Sequence, residues 1–420
     1  MNPEEHWLDR PATFRWLVWI FGGVLFVFAL VPVLHCLRGQ SIKDYLVWYE
    51  TGQQVLRGGE VYPNQWHKFP FMYPPSCALF LAPISALGQT GLVVVLVLVN
   101  AAAWICCIIF SARLATGERW RAHFLVYFIP SFLVGVYVWG NFLLGQPSLL
   151  LLALMLGAFL ALQKRSPVLA GGLIAFAAAI KAFPILALVY LVYRRYWVAA
   201  ATLVLTLAFL LIVAPIPFRG FAQAKQDLQR WSSGMLFKYD ESGVGQREGR
   251  SNSWRNQSIW GVSNRLLRHV EYDHSYKPHT PVYANFVDVE FKTMNVIIIA
   301  IGLLLGFAYV AVMPAAARRT PETDALEFAL LLLLILIFTP LTFGYLFAWL
   351  LYPLTVIVQR ILTGPAPGRL LGLTTTAVGL LSLSIPFRVL AQAYGNTLVA
   401  TLLLFVGLAL ELGRVKRANS

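Results

Sequence analysis

Charge is what this sequence has least of. Only 12% of its 420 residues are Asp, Glu, Lys or Arg, about half the share of an ordinary soluble domain. Acidic residues are the scarcer kind, 19 against 33 basic ones. Too little charge is present to cover a water-exposed surface, which excludes a soluble globular protein of this length. Cysteine is also rare: Cys36, Cys77, Cys106 and Cys107. All four lie in or beside apolar segments without metal-ligand spacing, and the adjacent pair cannot chelate from one helix face. They read as small apolar residues. His67, His123, His269, His274 and His279 make no metal spacing either, so no metal or other cofactor is indicated. Tandem repeats, low-complexity tracts and a soluble domain are missing.

Apolar sequence is present in abundance: 58% of residues are hydrophobic and mean hydropathy is +0.67. A membrane helix needs roughly 17–25 apolar residues. Candidate spans fall near 14–37, 90–111, 123–139, 147–162, 167–181, 184–193, 196–214, 293–314, 325–340, 345–359, 370–388 and 396–413. The expectation is an all-α polytopic bundle of about 12 spans, residues 1–420 forming one unit. The first stretch, Phe14 to Leu37, exceeds a signal-peptide core and has no small-residue cleavage site, so it should stay as a helix. Lys181 and Pro184 break one long run into two arms, the second too short to cross unaided. Residues 76–88 are apolar but too few to span, which predicts a re-entrant or interfacial helix after Pro74-Pro75.

The net charge of +14 does not mean nucleic acid. The basic residues sit in short clusters between spans, as positive-inside sorting produces. With the N-terminus inside, the cytoplasmic loops carry Arg10 and Arg15; Arg113, Arg119 and Arg121; Lys164 and Arg165; Arg194 and Arg195; Arg318 and Arg319; Arg360 and Arg369; and a tail with Arg414, Lys416 and Arg417. Both termini are then cytoplasmic. The bulk outside is two segments, 38–89 and 215–292. The second is basic, and long translocated segments escape the charge rule.

In the first outer segment a helix is expected from about Ser41, which can cap it, with Asp44 three residues on. Tyr45, Trp48, Tyr49, Gly52 and Leu56 share one face, and Arg57 with Gly58-Gly59 ends it. Such a helix suits the membrane interface. Asp44 has two readings: a helix-start carboxylate that complements the dipole, or a general base that deprotonates an acceptor hydroxyl. Spacing alone does not separate them.

Ordered motifs surround Asp44. The run Asp44-Tyr45-Leu46-Val47-Trp48-Tyr49-Glu50-Thr51-Gly52 is followed by Leu56-Arg57-Gly58-Gly59, Val61-Tyr62-Pro63 and Phe71-Met72-Tyr73-Pro74-Pro75. Downstream come Gly145-Gln146-Pro147-Ser148, Ile180-Lys181-Ala182-Phe183-Pro184, Asn256-Gln257-Ser258-Ile259-Trp260-Gly261 with Arg265, and Thr339-Pro340-Leu341-Thr342. Together these resemble glycosyltransferase family 87, over about residues 40–355. The resemblance implies a GT-C membrane fold and a lipid-linked sugar donor used at the outer face, without an Asp-x-Asp metal site. Its members include proteins similar to phosphatidylinositol-mannoside mannosyltransferases. One departure stands out: where the family commonly has a His pair, this chain has Tyr345-Leu346.

The resemblance and the topology imply a hexosyltransferase, mannose being the expected sugar, in the inner membrane of a bacterium with its site on the periplasmic side. The partners would be a polyprenyl-phosphate sugar donor, a glycolipid or glycan acceptor, and membrane lipids. Asp44 is the candidate base. Tyr49, Tyr73, Asn141, Gln146, Lys181, Arg255, Asn256, Gln257, Arg265 and Tyr345 are the candidate donor or acceptor ligands. Each has a plainer reading. Lys181 can snorkel, the arginines can be solvated charge, and Asn256-Gln257 can tie a loop to a helix end. A lipid or sugar transporter, with Lys181 at a midplane break, and a glycan polymerase or ligase are the alternatives to a monophosphate-sugar transferase.

Overall fold

The computed structural model describes residues 11–63, 70–117, 123–245, 250–273, 279–364 and 368–418. Arg10, His67, Arg119, Arg121 and His274 lie outside them. The described residues are mostly helical, as the apolar runs require, and each predicted span lies on helix for most of its length; the one near 370–388 passes into a turn after Ser382. In order these are α1 (Pro11–Leu37), α2 (Asp44–Leu56), α3 (Pro75–Ser85), α4 (Gly88–Thr116), α5 (Phe124–Leu144), α6 (Ser148–Gln163), α7 (Pro167–Ile180), α8 (Ala187–Tyr193) and α9 (Trp197–Ala208). Then follow α10 (Ile216–Arg219), α11 (Phe221–Trp231), α12 (Ile259–Leu267), α13 (Phe291–Val312), α14 (Pro321–Phe338), α15 (Leu351–Thr363), α16 (Gly368–Ser382), α17 (Arg388–Ala393) and α18 (Asn396–Ala418). The described strands are one two-residue pair, β1 (Tyr239–Asp240) antiparallel to β2 (Gly243–Val244).

Among the described residues seven helical stretches are long and apolar enough to cross a membrane. They are α1, α4, α5, α9 with its continuation to Arg219, α13, the Gly344–Thr363 stretch and α18. The others are shorter: α6 has 16 residues and α7 has 14. At 1.5 Å per residue a 14-residue helix is about 21 Å long, against about 30 Å for the hydrocarbon core. α7 stops where Lys181 turns extended, and a short 3-10 turn (Phe183–Leu186) leads into α8. The broken run is therefore two arms, as Lys181 and Pro184 predict. α3 has 11 residues and starts on Pro75, which suits a helix that does not cross.

The bundle has two chemically distinct ends. At one, Arg194 makes a buried ion pair with Glu327 and donates to the Pro314 carbonyl at 2.9 Å. Arg319 bonds Tyr196, Arg360 bonds Glu411, and Lys416 reaches the Ala311 carbonyl. The basic clusters thus gather at the ends of α8, α13, α14, α15 and α18. The opposite end of α14 is Phe338, about 27 Å away along its 18 residues. There segments 38–89 and 215–292 interlock. Arg219 donates to Gly59, Arg230 to Tyr62, and the Trp231 indole to Met72, all at backbone carbonyls.

α2 differs from expectation at its start. Lys43, with φ of 53°, occupies the N-cap, and no side chain caps the helix. Ser41 is exposed and Asp44 is the first helical residue. The buried face is Tyr45, Trp48, Thr51, Gly52 and Val55; Tyr49 is half-buried and Leu56 exposed. That face is set by α3, against which α2 packs. A Cβ at Gly52 would lie 2.5 Å from the Ser85 hydroxyl and 2.8 Å from the Leu81 carbonyl oxygen, so only glycine lets the two helices approach this closely. The end agrees with the reading: Arg57 closes the helix and Gly58 follows with positive φ.

Candidate active site

The site is built on the Gly145-Gln146 turn between α5 and α6. Gly145 ends α5 with φ of +74°, a left-handed conformation that favours glycine. A Cβ on it would stand 2.9 Å from the Tyr45 ring. Two side chains of α2 clamp this turn. Tyr45 donates its hydroxyl to the Phe142 carbonyl at 2.8 Å, and the Trp48 indole N–H donates to the Gly145 carbonyl at 2.7 Å. Trp48 in turn packs on Tyr73, ring centroids 4.4 Å apart, and on Phe71. The aromatics of the Asp44 and Tyr-Pro-Pro motifs are therefore one framework that aims Asp44 and Tyr73 at the same turn.

At its centre is a three-residue relay. Gln146, only 3% exposed, donates from Nε2 to the Asp44 Oδ2 at 2.5 Å. Its Oε1 accepts from the Tyr73 hydroxyl at 3.0 Å. Burial, with Tyr345 and Asp44 nearby, pushes the Tyr73 phenol well above its usual pKa. Tyr73 is consequently a neutral donor. Lys181 lies across Tyr73, its ammonium 5.3 Å from that ring centroid and 5.0 Å from the Tyr345 ring. It also reaches the Tyr345 hydroxyl at 3.5 Å. Asn141 donates from Nδ2 to the Tyr345 carbonyl at 2.8 Å.

Asp44, Tyr73, Asn141, Gln146, Lys181 and Tyr345 thus come together from α2, the loop before α3, α5, the α5–α6 turn, the end of α7, and the 3-10 stretch Gly344–Leu350. Tyr345, where the family's His pair is missing, stands beside Lys181. Tyr49 packs half-buried against the core and joins none of these hydrogen bonds.

Asn256, Gln257 and Arg265 have a different surrounding. Asn256 accepts from the Thr342 and Ser258 amides and donates to the Ser251 and Pro340 carbonyls. The Gln257 side chain donates to Trp254 and Gln392 carbonyls, and its amide N–H to Thr342. The Asn-Gln-Ser and Thr-Pro-Leu-Thr motifs are a latch that holds one another, and they position Tyr345 three residues past Thr342. Arg265 is fully buried. Its guanidinium donates to carbonyls of Ala393, Ser253, Asn256 and Gln392. Burial lowers its pKa to about 9, still above neutrality, so the carbonyl cluster holds a cation. Arg255 is exposed and lies over the Trp254 ring at 4.9 Å. The two arginines therefore have different partners, backbone carbonyls for Arg265 and the Trp254 ring for Arg255.

Sequence reading missed Ser76. Its hydroxyl is buried and donates to the Ala179 carbonyl at 2.6 Å, pinning α3 to the last turn of α7 before Lys181. Its place directly after Pro74-Pro75, at a helix start, was the available signal. Among the described residues no three His, Cys, Asp or Glu side chains come together to hold a metal ion.

No curated protein and no solved structure matches the chain. Residues 71–341 match glycosyltransferase family 87. That range takes in Tyr73, Gln146, Lys181 and the Asn-Gln-Ser loop, while Asp44 lies upstream and Tyr345 just beyond. It covers well over half of the sequence and agrees with an all-helical chain whose motifs converge at one end: the protein belongs to glycosyltransferase family 87 and is a membrane glycosyltransferase.

Proposed function

We propose that this enzyme transfers a hexosyl residue, mannosyl as the first candidate, from a polyprenyl-phosphate donor to an acceptor hydroxyl at the non-cytoplasmic face. The reading is carried by the juxtaposition of one hydrogen-bonded carboxylate, Asp44, with one amine, Lys181, across Tyr73. A carboxylate and a cation on either side of one spot suit a displacement at a sugar carbon. Asp44 takes the proton from the acceptor hydroxyl. The acceptor oxygen bonds to the anomeric carbon as the bond from that carbon to the phosphate oxygen breaks. Lys181 carries the charge left on the polyprenyl phosphate, as a point charge suited to phosphate. A single in-line step inverts the anomeric centre, so a β-linked donor gives an α-linked product.

Two further observations support a lipid donor. Lys181 follows a helix only about 21 Å long, so with the start of α7 at the cytoplasmic interface it lies deeper than the end of a full span. A phosphate carried on a lipid reaches that depth sideways through the bilayer, whereas a nucleotide sugar would have to enter from water. The basic clusters at the opposite end support an outward-facing site, since positive loops stay inside.

The test is transfer in membranes or proteoliposomes from polyprenyl-phosphate mannose. Asp44→Asn should lose about 10²–10⁴-fold in rate, the range of general-base catalysis, with an unchanged melting temperature. Full activity in Asp44→Asn would end the base assignment. Transfer from a nucleotide sugar with no lipid carrier present would end the donor assignment.

A further inference from the structure

A second cationic feature lies at the same end of the bundle, away from Asp44. Trp254 is buried in a small cluster with Ala284 and Ala393. Two guanidinium groups lie near its ring, Arg255 at 4.9 Å and Arg388 at 5.5 Å from the centroid. Both arginines are exposed. Among the described residues neither guanidinium makes an ion pair. The neighbouring carboxylate, Asp273, accepts from the Trp254 indole N–H at 3.2 Å. Two like charges held at one ring repel each other, and a bound anion would relieve that.

The surroundings say what kind of anion. Phe286, Ile385, Phe387 and Leu390 are exposed, Ile385 by 83% and Phe286 by 73%. Phe286 precedes α13 and packs on Tyr394, ring centroids 5.7 Å apart. Ile385 and Phe387 follow α16. α13 and α16 each have few buried residues, so both turn most of their surface outward, toward lipid. The patch therefore sits where two lipid-facing helices leave the bilayer, with apolar side chains beside a pair of cations. It shares the Asp44 end because Gln257 and Arg265 bond the carbonyls of Gln392 and Ala393.

We propose that Arg255 and Arg388, with this apolar rim, bind the phosphate headgroup of an anionic membrane phospholipid. Each guanidinium offers a planar fork to phosphate oxygens, and the apolar residues lie against the acyl chains. The seat is separate from the donor site, since it contains none of the Asp44–Gln146–Lys181 group.

The full-length protein, reconstituted in vesicles of equal parts phosphatidylglycerol and phosphatidylcholine and extracted in mild detergent, would be analysed for retained lipid. Wild type should retain phosphatidylglycerol in preference, by roughly fivefold per arginine. Arg255→Gln with Arg388→Gln should abolish the preference while melting temperature stays near wild type. Each single substitution should lower the preference about fivefold, should the double variant fold poorly. Equal retention of both lipids by wild type, or an unchanged preference in the double variant, overturns the proposal. So does loss of the preference in millimolar inorganic phosphate, which would mark a simple anion site. Displacement of phosphatidylglycerol by stoichiometric polyprenyl phosphate would overturn it in favour of a donor entry seat.

Discussion

Gln146 stands between two groups that need opposite partners: a carboxylate that accepts and a phenol that donates. A primary amide serves both from separate atoms, Nε2 donating to Asp44 and Oε1 accepting from Tyr73. Its role follows as one of holding Asp44 in place. Gln146→Leu should lower kcat about 10–100-fold, the scale of a misplaced catalytic group, with KM for donor and acceptor within about twofold. Steady-state kinetics on both substrates checks this; a large rise in either KM instead would make Gln146 a sugar ligand. Tyr73→Phe removes only the outer member of the relay and should cost less than Gln146→Leu in the same assay. The resemblance made Gln146 and Tyr73 legible as site residues. That they bond each other and Asp44 was not legible, because residues 44, 73 and 146 meet only when α2, α3 and α5 pack.

The Asn-Gln-Ser loop shows the limit of motif reading at the level of elements. Asn256, Gln257 and Arg265 were readable as site residues by type, since amides and guanidinium groups bind sugars and phosphates. In the fold they form the latch: Asn256 and Arg265 are fully enclosed and their donors are given to main-chain carbonyls. Asn256→Ala would leave the Pro340 and Ser251 carbonyls and the Thr342 amide without that partner inside the protein. Each unsatisfied buried group costs about 1–3 kcal/mol, so a fall in melting temperature of several degrees is expected, measured by thermal unfolding in detergent. Activity should fall with stability, because the latch positions Tyr345. Gly145→Ala tests the other anchor. It meets both the positive φ and the Tyr45 ring, and should destabilise by about 1–3 kcal/mol. A melting temperature equal to wild type would remove the clamp from the account.

At the scale of the whole molecule, the charges divide the two ends. Glu327 is fully buried and paired with Arg194, with Tyr190 donating to the same carboxylate at 3.2 Å. Glu327→Leu strands the arginine and should cost about 3–5 kcal/mol, whereas the double change with Arg194→Leu should restore much of it. Thermal unfolding of the two variants decides between a paired and an independent role. Orientation has its own test. A single reactive cysteine at Lys43 should be labelled from outside intact cells by a membrane-impermeant reagent, and one at Arg165 only after permeabilisation. Reversal of that pattern would turn the site to the cytoplasm and remove the lipid-donor argument drawn from topology.

Composition and hydropathy by themselves determined that this is a membrane-embedded helical chain, where its helices lie, and where the α7 run breaks, because apolar length and proline act locally. The basic clusters likewise marked one end of the bundle, since they fall at helix ends that alternate along the chain. Tertiary structure alone decided which polar residues bond one another and which bond the backbone. Both kinds carry the same donors and acceptors, and only packing assigns each buried group its partner. So Asp44, Gln146, Tyr73 and Lys181 form one group, while Arg265, of a type equally suited to phosphate, spends its hydrogen bonds on the backbone.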